Sequence, residues 1–424
     1  MRSFRATQNL MAVSAAAKET AINTEQTLDL SLLVDIGDVL NIEQRRENNA
    51  NELTGKEEAD TVYDLGGMAS GNFNFNKAQP QHFALLLAYA LGQISTVAAG
   101  TGYQHTISPI LGDVDAARSL PSFTAAMRYG QTVLKKRFAS MFVDSITATF
   151  AKDAWVKITA ALKGTGKVTT NIVEESVTAL DNAVALTLAA NAVQGADAPT
   201  RLDNVQRIRA LYSGSWVEVT YSVVSAATPA VITITSVGGA GASITYKVLY
   251  IPTEAAWCTF PSRVSETPLR VAQMTLKMGG AWNGTTFLGG RSLSAEISSV
   301  EWNLSNGLEV EFVPGAGDIY AARAFRPART QTLKLNREFR ENILQQHIAD
   351  NDTFGFYILA EGAIYDTPHK YQVELIFPKV AVLTSPLSVD GKRLAEAGDL
   401  AVLQDDTYGS VIAKVKNLQA VYAA

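Results

Sequence analysis

Long stretches of this chain alternate apolar and polar residues with a period of two. Val156, Ile158, Ala160 and Leu162 alternate with Trp155, Lys157, Thr159 and Ala161. Val217, Val219, Tyr221 and Val223 do the same, as do Leu293, Ala295 and Ile297. That period belongs to β-strands with one buried face. Turn chemistry punctuates it: GTGK at 164–167, VGGAGA at 237–242, NGTT at 283–286 and VPGAGD at 313–318. The expected fold is therefore mainly β. With 47% hydrophobic and 18% charged residues in 424, the chain can build a sizeable core. About 150 residues per domain gives two or three domains.

Two segments break the strand pattern. The first opens at Pro80, a favourable first helical residue. Phe83, Leu86, Leu87, Ala90 and Ile94 share one face, with Leu85 and Tyr89 opposite. A helix apolar nearly all round is covered on both sides. It is either a subunit interface, through Phe83, Leu86, Leu87, Tyr89 and Ile94, or a central core helix. The second expected helix runs from Arg337 to Ala349, with Asn336 as N-cap. Phe339, Ile343, Leu344, His347 and Ile348 lie on one half of it. A third, weaker helical pattern lies near 178–193.

Residues 43–60, EQRRENNANELTGKEEAD, carry nine charges in eighteen positions. Such a segment cannot bury itself, so it projects, and loops of that length usually have a task. A merely solvated loop is the alternative.

The chain also repeats itself weakly. FNFNK at 73–77 matches LKLNR at 333–337, each an alternating strand running into a helix, with Phe83 meeting Ile343 and Leu87 meeting His347. Downstream, YQHTISP at 103–109 matches YQVELIFP at 371–378. Upstream, TLDLSLLVDIG at 27–37 faces RSLSAEISSVEW at 291–302. The repeat implies similar halves at 1–165 and 256–424. The stretch 166–255, with strands around 216–224, 231–236 and 243–251, is then an inserted small β domain or elaborated linker.

Motifs for chemistry are missing. His82, His105, His347 and His369 lack metal-ligand spacing, and Cys258 is the one cysteine. KGTGKVT at 163–169, VGGAGAS at 237–243 and GMASG at 67–71 fail the phosphate-loop, dinucleotide and nucleophile-elbow frames. No catalytic, metal or cofactor site is expected, and the expectation is a protein that is not an enzyme. The net charge of -5 argues against a dedicated nucleic-acid binder. The basic run Arg323, Arg326, Arg329, Lys334, Arg337, Arg340 is expected to pair across subunits with an acidic surface such as Glu52–Asp60. No apolar stretch approaches the ~20 residues of a membrane span. The N-terminus lacks a signal-peptide core, so a soluble, unexported product is expected.

Together, RATQNLMAVSAAAKETAINT, the charged loop, FNFNKAQPQHFALLLAYALG, and YQVELIFPKVAV followed by DTYGSVIAKVKN resemble major tail tube proteins. These belong to bacteriophages with long, flexible, non-contractile tails. The resemblance covers most of the chain except 166–255. It implies β-sandwich domains, here duplicated, each with a flanking helix, whose strands join neighbours' strands to close a β-barrel around a channel. Rings stack into a tube that conducts genomic DNA into the host without specific binding. Residues 43–60 match the stacking loop, with Arg45, Arg46, Glu47, Glu52, Lys56, Glu57 and Glu58 as its charges. The region 307–330 is its counterpart in the second half.

Two tube domains per chain imply a trimeric ring of pseudo-sixfold symmetry; a single tube domain implies a hexamer. The family further implies a tape-measure protein and a tail terminator as partners, and a virion location after synthesis in the bacterial cytoplasm. The acidic composition leads to the expectation of a net negative channel wall, with 166–255 on the tube exterior. The alternatives are a β-sandwich binding module, such as an adhesin or carbohydrate-binding protein with an exposed aromatic platform, and another virion shell component.

Overall fold

The computed structural model describes residues 5–53, 55–111, 120–130, 134–253, 257–313, 319–391 and 393–423. The expected turn at 313–318 therefore lies almost entirely outside the described residues. The protein is mainly β, in antiparallel sheets. It divides into two compact units. The smaller comprises Met1–Met11, Ala126–Arg137 and Val168–Phe260; the larger comprises Ala12–Ala125, Phe138–Lys167 and Pro261–Ala424. The expected insertion forms the bulk of the smaller unit, and most of the two expected halves lies together in the larger one, although residues 1–11 and 126–137 of the first half belong to the smaller.

One broad sheet of the larger unit follows from its pairings. Leu40–Asn48 pairs with Val62–Phe75, which pairs with Lys157–Gly164, which pairs with Leu134–Ala151. The sheet continues through Ile297–Ser305, Thr330–Glu338 and Arg393–Val402. The last position is shared by Leu387–Asp390 and the end of His369–Thr384. The register carries one row across seven strands: Phe75, Ile158, Ala148, Trp302, Leu333, Leu400 and Val382. The first six of these side chains are buried. Period-two patterning thus puts this face of the central strands into the core.

A second sheet runs Gly92–Ala99, Gly102–Pro109, Ile412–Asn417, His369–Thr384, Phe354–Asp366, Met274–Trp282, Phe287–Ser292. The long strand His369–Thr384 serves both sheets: residues 372–376 pair in the second and 380–384 in the first.

The helix Pro80–Leu91 touches both sheets, through Lys157–Gly164 of the first and Gly102–Pro109 and Ile412–Asn417 of the second. Every one of its residues is buried within the single chain. Phe83, Leu86, Leu87 and Tyr89 are core residues, and Ile94 belongs to the following strand. The subunit-interface reading of this helix is thereby corrected, because side chains enclosed by their own chain cannot meet another. Its apolar circumference reflects enclosure between two sheets.

Two further helix expectations are corrected. Thr330–Glu338 is a strand, and the helix is Ile343–Asp350, after Asn342. Arg337 is a strand residue whose buried ion pairs outweigh its helical spacing. Of that helix only Leu344 is buried. Near 178–193 the chain forms strands Val173–Leu180 and Ala185–Thr187. The turn between them is fixed by Asp181, whose carboxylate accepts from Gly241 N at 2.7 Å and Ala242 N at 3.2 Å. The short helix of this unit is Ala198–Asn204, capped by Asp197 accepting from Thr200 N at 2.8 Å.

The smaller unit is a β-sandwich. Val173–Leu180, Ser243–Tyr250, Val205–Tyr212 and Ser215–Glu218 form one sheet; Ala185–Thr187, Val231–Ile234 and Tyr221–Val224 form the other. Leu186, Ile208, Ile232, Tyr246, Val248 and Tyr250 are central to the core they share.

Within the larger unit the two halves trace one path. Val62–Phe75 leads to helix Pro80–Leu91 and the hairpin Gly92–Ala99/Gly102–Pro109; Thr330–Glu338 leads to helix Ile343–Asp350 and the hairpin Phe354–Asp366/His369–Thr384. In each half the four positions of the broad sheet follow the chain order first, second, fourth, third.

Candidate assembly surfaces

The charged segment 43–60 is the end of a hairpin, not a free loop. Strand Leu40–Asn48 carries it outward, and strand Val62–Phe75 returns. Buried Asn49 organises the tip. Its Oδ1 accepts from Asp60 N at 3.0 Å and Thr61 N at 3.2 Å, and its Nδ2 donates to Asp60 Oδ1 at 2.6 Å. Lys56 pairs with Asp60, whose carboxyl is held below its ordinary range mainly by that bond. Tyr63 Oη donates to Glu52 Oε2 at 2.9 Å.

The structure separates the seven charges by use. Glu52 and Lys56 are engaged inside the hairpin, and the Arg45 guanidinium lies 5.0 Å from the Phe312 ring. Arg46, Glu47, Glu57 and Glu58 are exposed. Sequence reasoning missed the apolar part of this tip: Leu53 is 107% exposed, and Val62, Tyr63 and Leu65 are exposed beside it.

The counterpart in the second half is the hairpin Glu309–Glu311/Arg323–Phe325. The two excursions pack on each other. Gly66 has φ +85°, and a Cβ there would lie 2.1 Å from Ile319 O. Only glycine permits that approach.

Half of the basic run is engaged within the chain, which corrects the cross-subunit pairing expected of Arg329, Arg337 and Arg340. Arg329 Nη2 donates to Ala90 O at 2.7 Å and its Nε to Asn306 Oδ1 at 2.9 Å, closing the C-terminus of the core helix. Burial brings its guanidinium down to about 9. Arg337 is buried between Glu296 at 3.3 Å and Glu396 at 2.6 Å. Arg340 pairs with neighbouring Glu338 at 3.3 Å.

The open face of the broad sheet was not foreseen. One row reads Asn74, Thr159, Thr147, Asn303, Thr332 and Ala401. A second reads Asn72, Ala161, Ser145, Ser305 and Thr330. A third reads Lys157, Thr149, Glu301, Lys334 and Asp399, two positive and two negative. Together these three rows form a mostly polar surface, rich in Ser, Thr and Asn, with balanced charge. The sheet ends in Leu40–Asn48 at one side and Leu387–Asp390 at the other, each paired on one side among the described residues. The second edge is apolar, with Leu387, Val389 and Leu394 exposed.

The histidines sit in local contacts. His82 stacks on Phe75 at 3.8 Å, burial holds it down to about 3, and its Nδ1 accepts from Gln79 N at 3.2 Å. His105 lies between Thr96 at 2.8 Å and Asn417 at 3.1 Å. His347 meets Asp352 at 2.7 Å, and His369 stacks on Tyr365 at 6.2 Å. Among the described residues no group of three His, Cys, Asp or Glu side chains could hold a metal, and no helix is long and apolar enough to cross a membrane.

No protein-family model matches this chain, and no curated protein matches it.

Proposed function

We propose that this chain is the structural subunit of a phage tail tube, with no enzymatic activity, and that three copies close a ring whose inner wall is the open face of the broad sheet. The observation that carries this reading is the sheet itself: eight strand positions, one face buried across its central strands, the other mostly polar with interspersed alanines, and an edge at each end paired on one side among the described residues. Such an edge is an aggregation hazard unless a partner strand covers it. Edge pairing that joins head to tail and closes on itself leaves no edge. The shared path of the two halves makes each chain count as two tube domains, so three chains give a pseudo-sixfold ring.

The wall so formed suits DNA passage. Binding to phosphates grows with the cations that replace condensed counterions. In the three open rows Lys157 and Lys334 are offset by Glu301 and Asp399, giving a neutral lining in place of the net negative one expected from composition. A tape-measure protein inside the tube and a terminator at its end are the partners this role requires, and the assembled virion is its location.

The test is the edge. Val389 is 72% exposed on Leu387–Asp390. Proline there removes a ladder donor from a strand that supports little of the core. Val389→Pro is expected to fold with unchanged circular dichroism and to stay monomeric. Rings from this variant would refute edge closure.

A second reading, a binding module, draws on the smaller unit. Trp216 is 40% exposed on the open face of its four-stranded sheet, with Arg209 at 5.3 Å and Lys247 at 5.4 Å from its ring. Quenching of tryptophan fluorescence by a saccharide, lost in Trp216→Ala, would support it.

A further inference from the structure

The exposed tip of the 40–75 hairpin lies at one end of strand Val62–Phe75. At the other end, about 43 Å away at ~3.3 Å per residue, the larger unit carries a surface of opposite character. A cleft of about 330 Å³ opens there, lined by Phe150, Lys152, Asp153, Val271, Met274 and Ile297 among others. Around it, Trp155 bridges to Arg270 in the backbone, and Arg270 and Lys77 approach the Trp155 ring at 4.7 Å and 6.0 Å. Lys77, Lys152 and Arg270 are all exposed, and Asp153 is the one acid of the 152–157 turn. Segment 43–60 carries six acids and three bases, net −3. Its apolar apex, Leu53, has no cover in its own chain.

We propose that this cleft is the receptor for the hairpin tip of a second copy of the chain in the adjacent ring. Leu53 enters between Val271 and Met274, while Glu57 and Glu58 face Lys152 and Arg270. The proposal rests on the tail-tube reading and deepens it by assigning the receiving site. Charge complementarity supplies register and excludes tip-to-tip contact, since like charges repel. Apolar burial of Leu53 supplies the contact that salt does not screen. The two surfaces differ, so the contact is heterologous and propagates as a stack, as a tube requires.

The test is an oxidation ladder in assembled wild-type background. Leu53→Cys and Ala272→Cys are introduced into one chain; native Cys258 is buried. Mild oxidation followed by denaturing gels is expected to give a ladder of trimers, tetramers and longer species, because every chain carries both partners. Each single variant is expected to give no more than dimers. In parallel, Lys152→Glu with Arg270→Glu is expected to leave rings intact and shorten tubes at least tenfold, with Glu57→Lys and Glu58→Lys restoring length. Tubes that form normally but yield no ladder overturn the proposal alone, as does normal elongation of the charge-reversed cleft. Wild-type protein that forms neither rings nor tubes contradicts the tail-tube reading itself.

Discussion

Glu266 is a buried carboxylate at the N-terminus of the core helix. It accepts from Gln81 N at 2.9 Å and Leu418 N at 3.1 Å, yet burial raises its pKa to about 7. Its ordinary value is 4.5, so between pH 4.5 and 7 the folded chain holds a proton that the unfolded chain has released. This carboxyl's contribution is therefore greatest below pH 4.5 and declines as pH rises to 7. His82 acts in the opposite sense, since its depressed pKa makes stability rise with pH through the range from about 3 to 6.5. The difference between wild type and Glu266→Gln isolates the carboxyl. Glutamine keeps the neutral shape, so its destabilisation, measured by urea titration, is expected to shrink by roughly 2–4 kcal/mol between pH 4.5 and pH 8. A gap that does not change with pH would assign Glu266 an ordinary pKa. Arg337 is the second such residue. Its removal strands Glu396, which is also buried. Arg337→Ala is expected to lose about 3–5 kcal/mol in the same assay, whereas a loss under 1 kcal/mol would mean the cluster is solvated.

Elements were legible where the local signal and the tertiary environment agreed. Pro80 and the apolar run from Phe83 to Leu91 located the core helix, and alternation located Lys157–Gly164. The signal failed where long-range partners decide. The 330–338 strand contains Arg337, whose carboxylate partners come from Glu296 and Glu396, distant in sequence. The 43–60 segment was read correctly as exposed, but its order through Asn49 depends on Asp60 and Thr61 across the hairpin. Its role is testable at this scale. Deleting 46–58 removes no buried apolar side chain. The truncated protein is expected to fold and form rings while failing to build long tubes in electron micrographs. Normal elongation would contradict a stacking role.

At the scale of the molecule, one sheet is shared by both halves. Ile297–Ser305 pairs with Leu134–Ala151, and that seam joins four strand positions of one half to four of the other. No local pattern in the sequence announces such a seam; it exists only once the halves have folded side by side. The open rows of Ser, Thr and Asn were equally hidden, because alternation assigns a polar face without saying what it meets. Closure of that sheet into a ring is read by light scattering of the smallest stable assembly, with negative-stain images of the same sample. Hollow rings of three times 45.5 kDa, 136.5 kDa, are expected. Rings of six copies, or compact monomers at every concentration, would contradict closure by three copies.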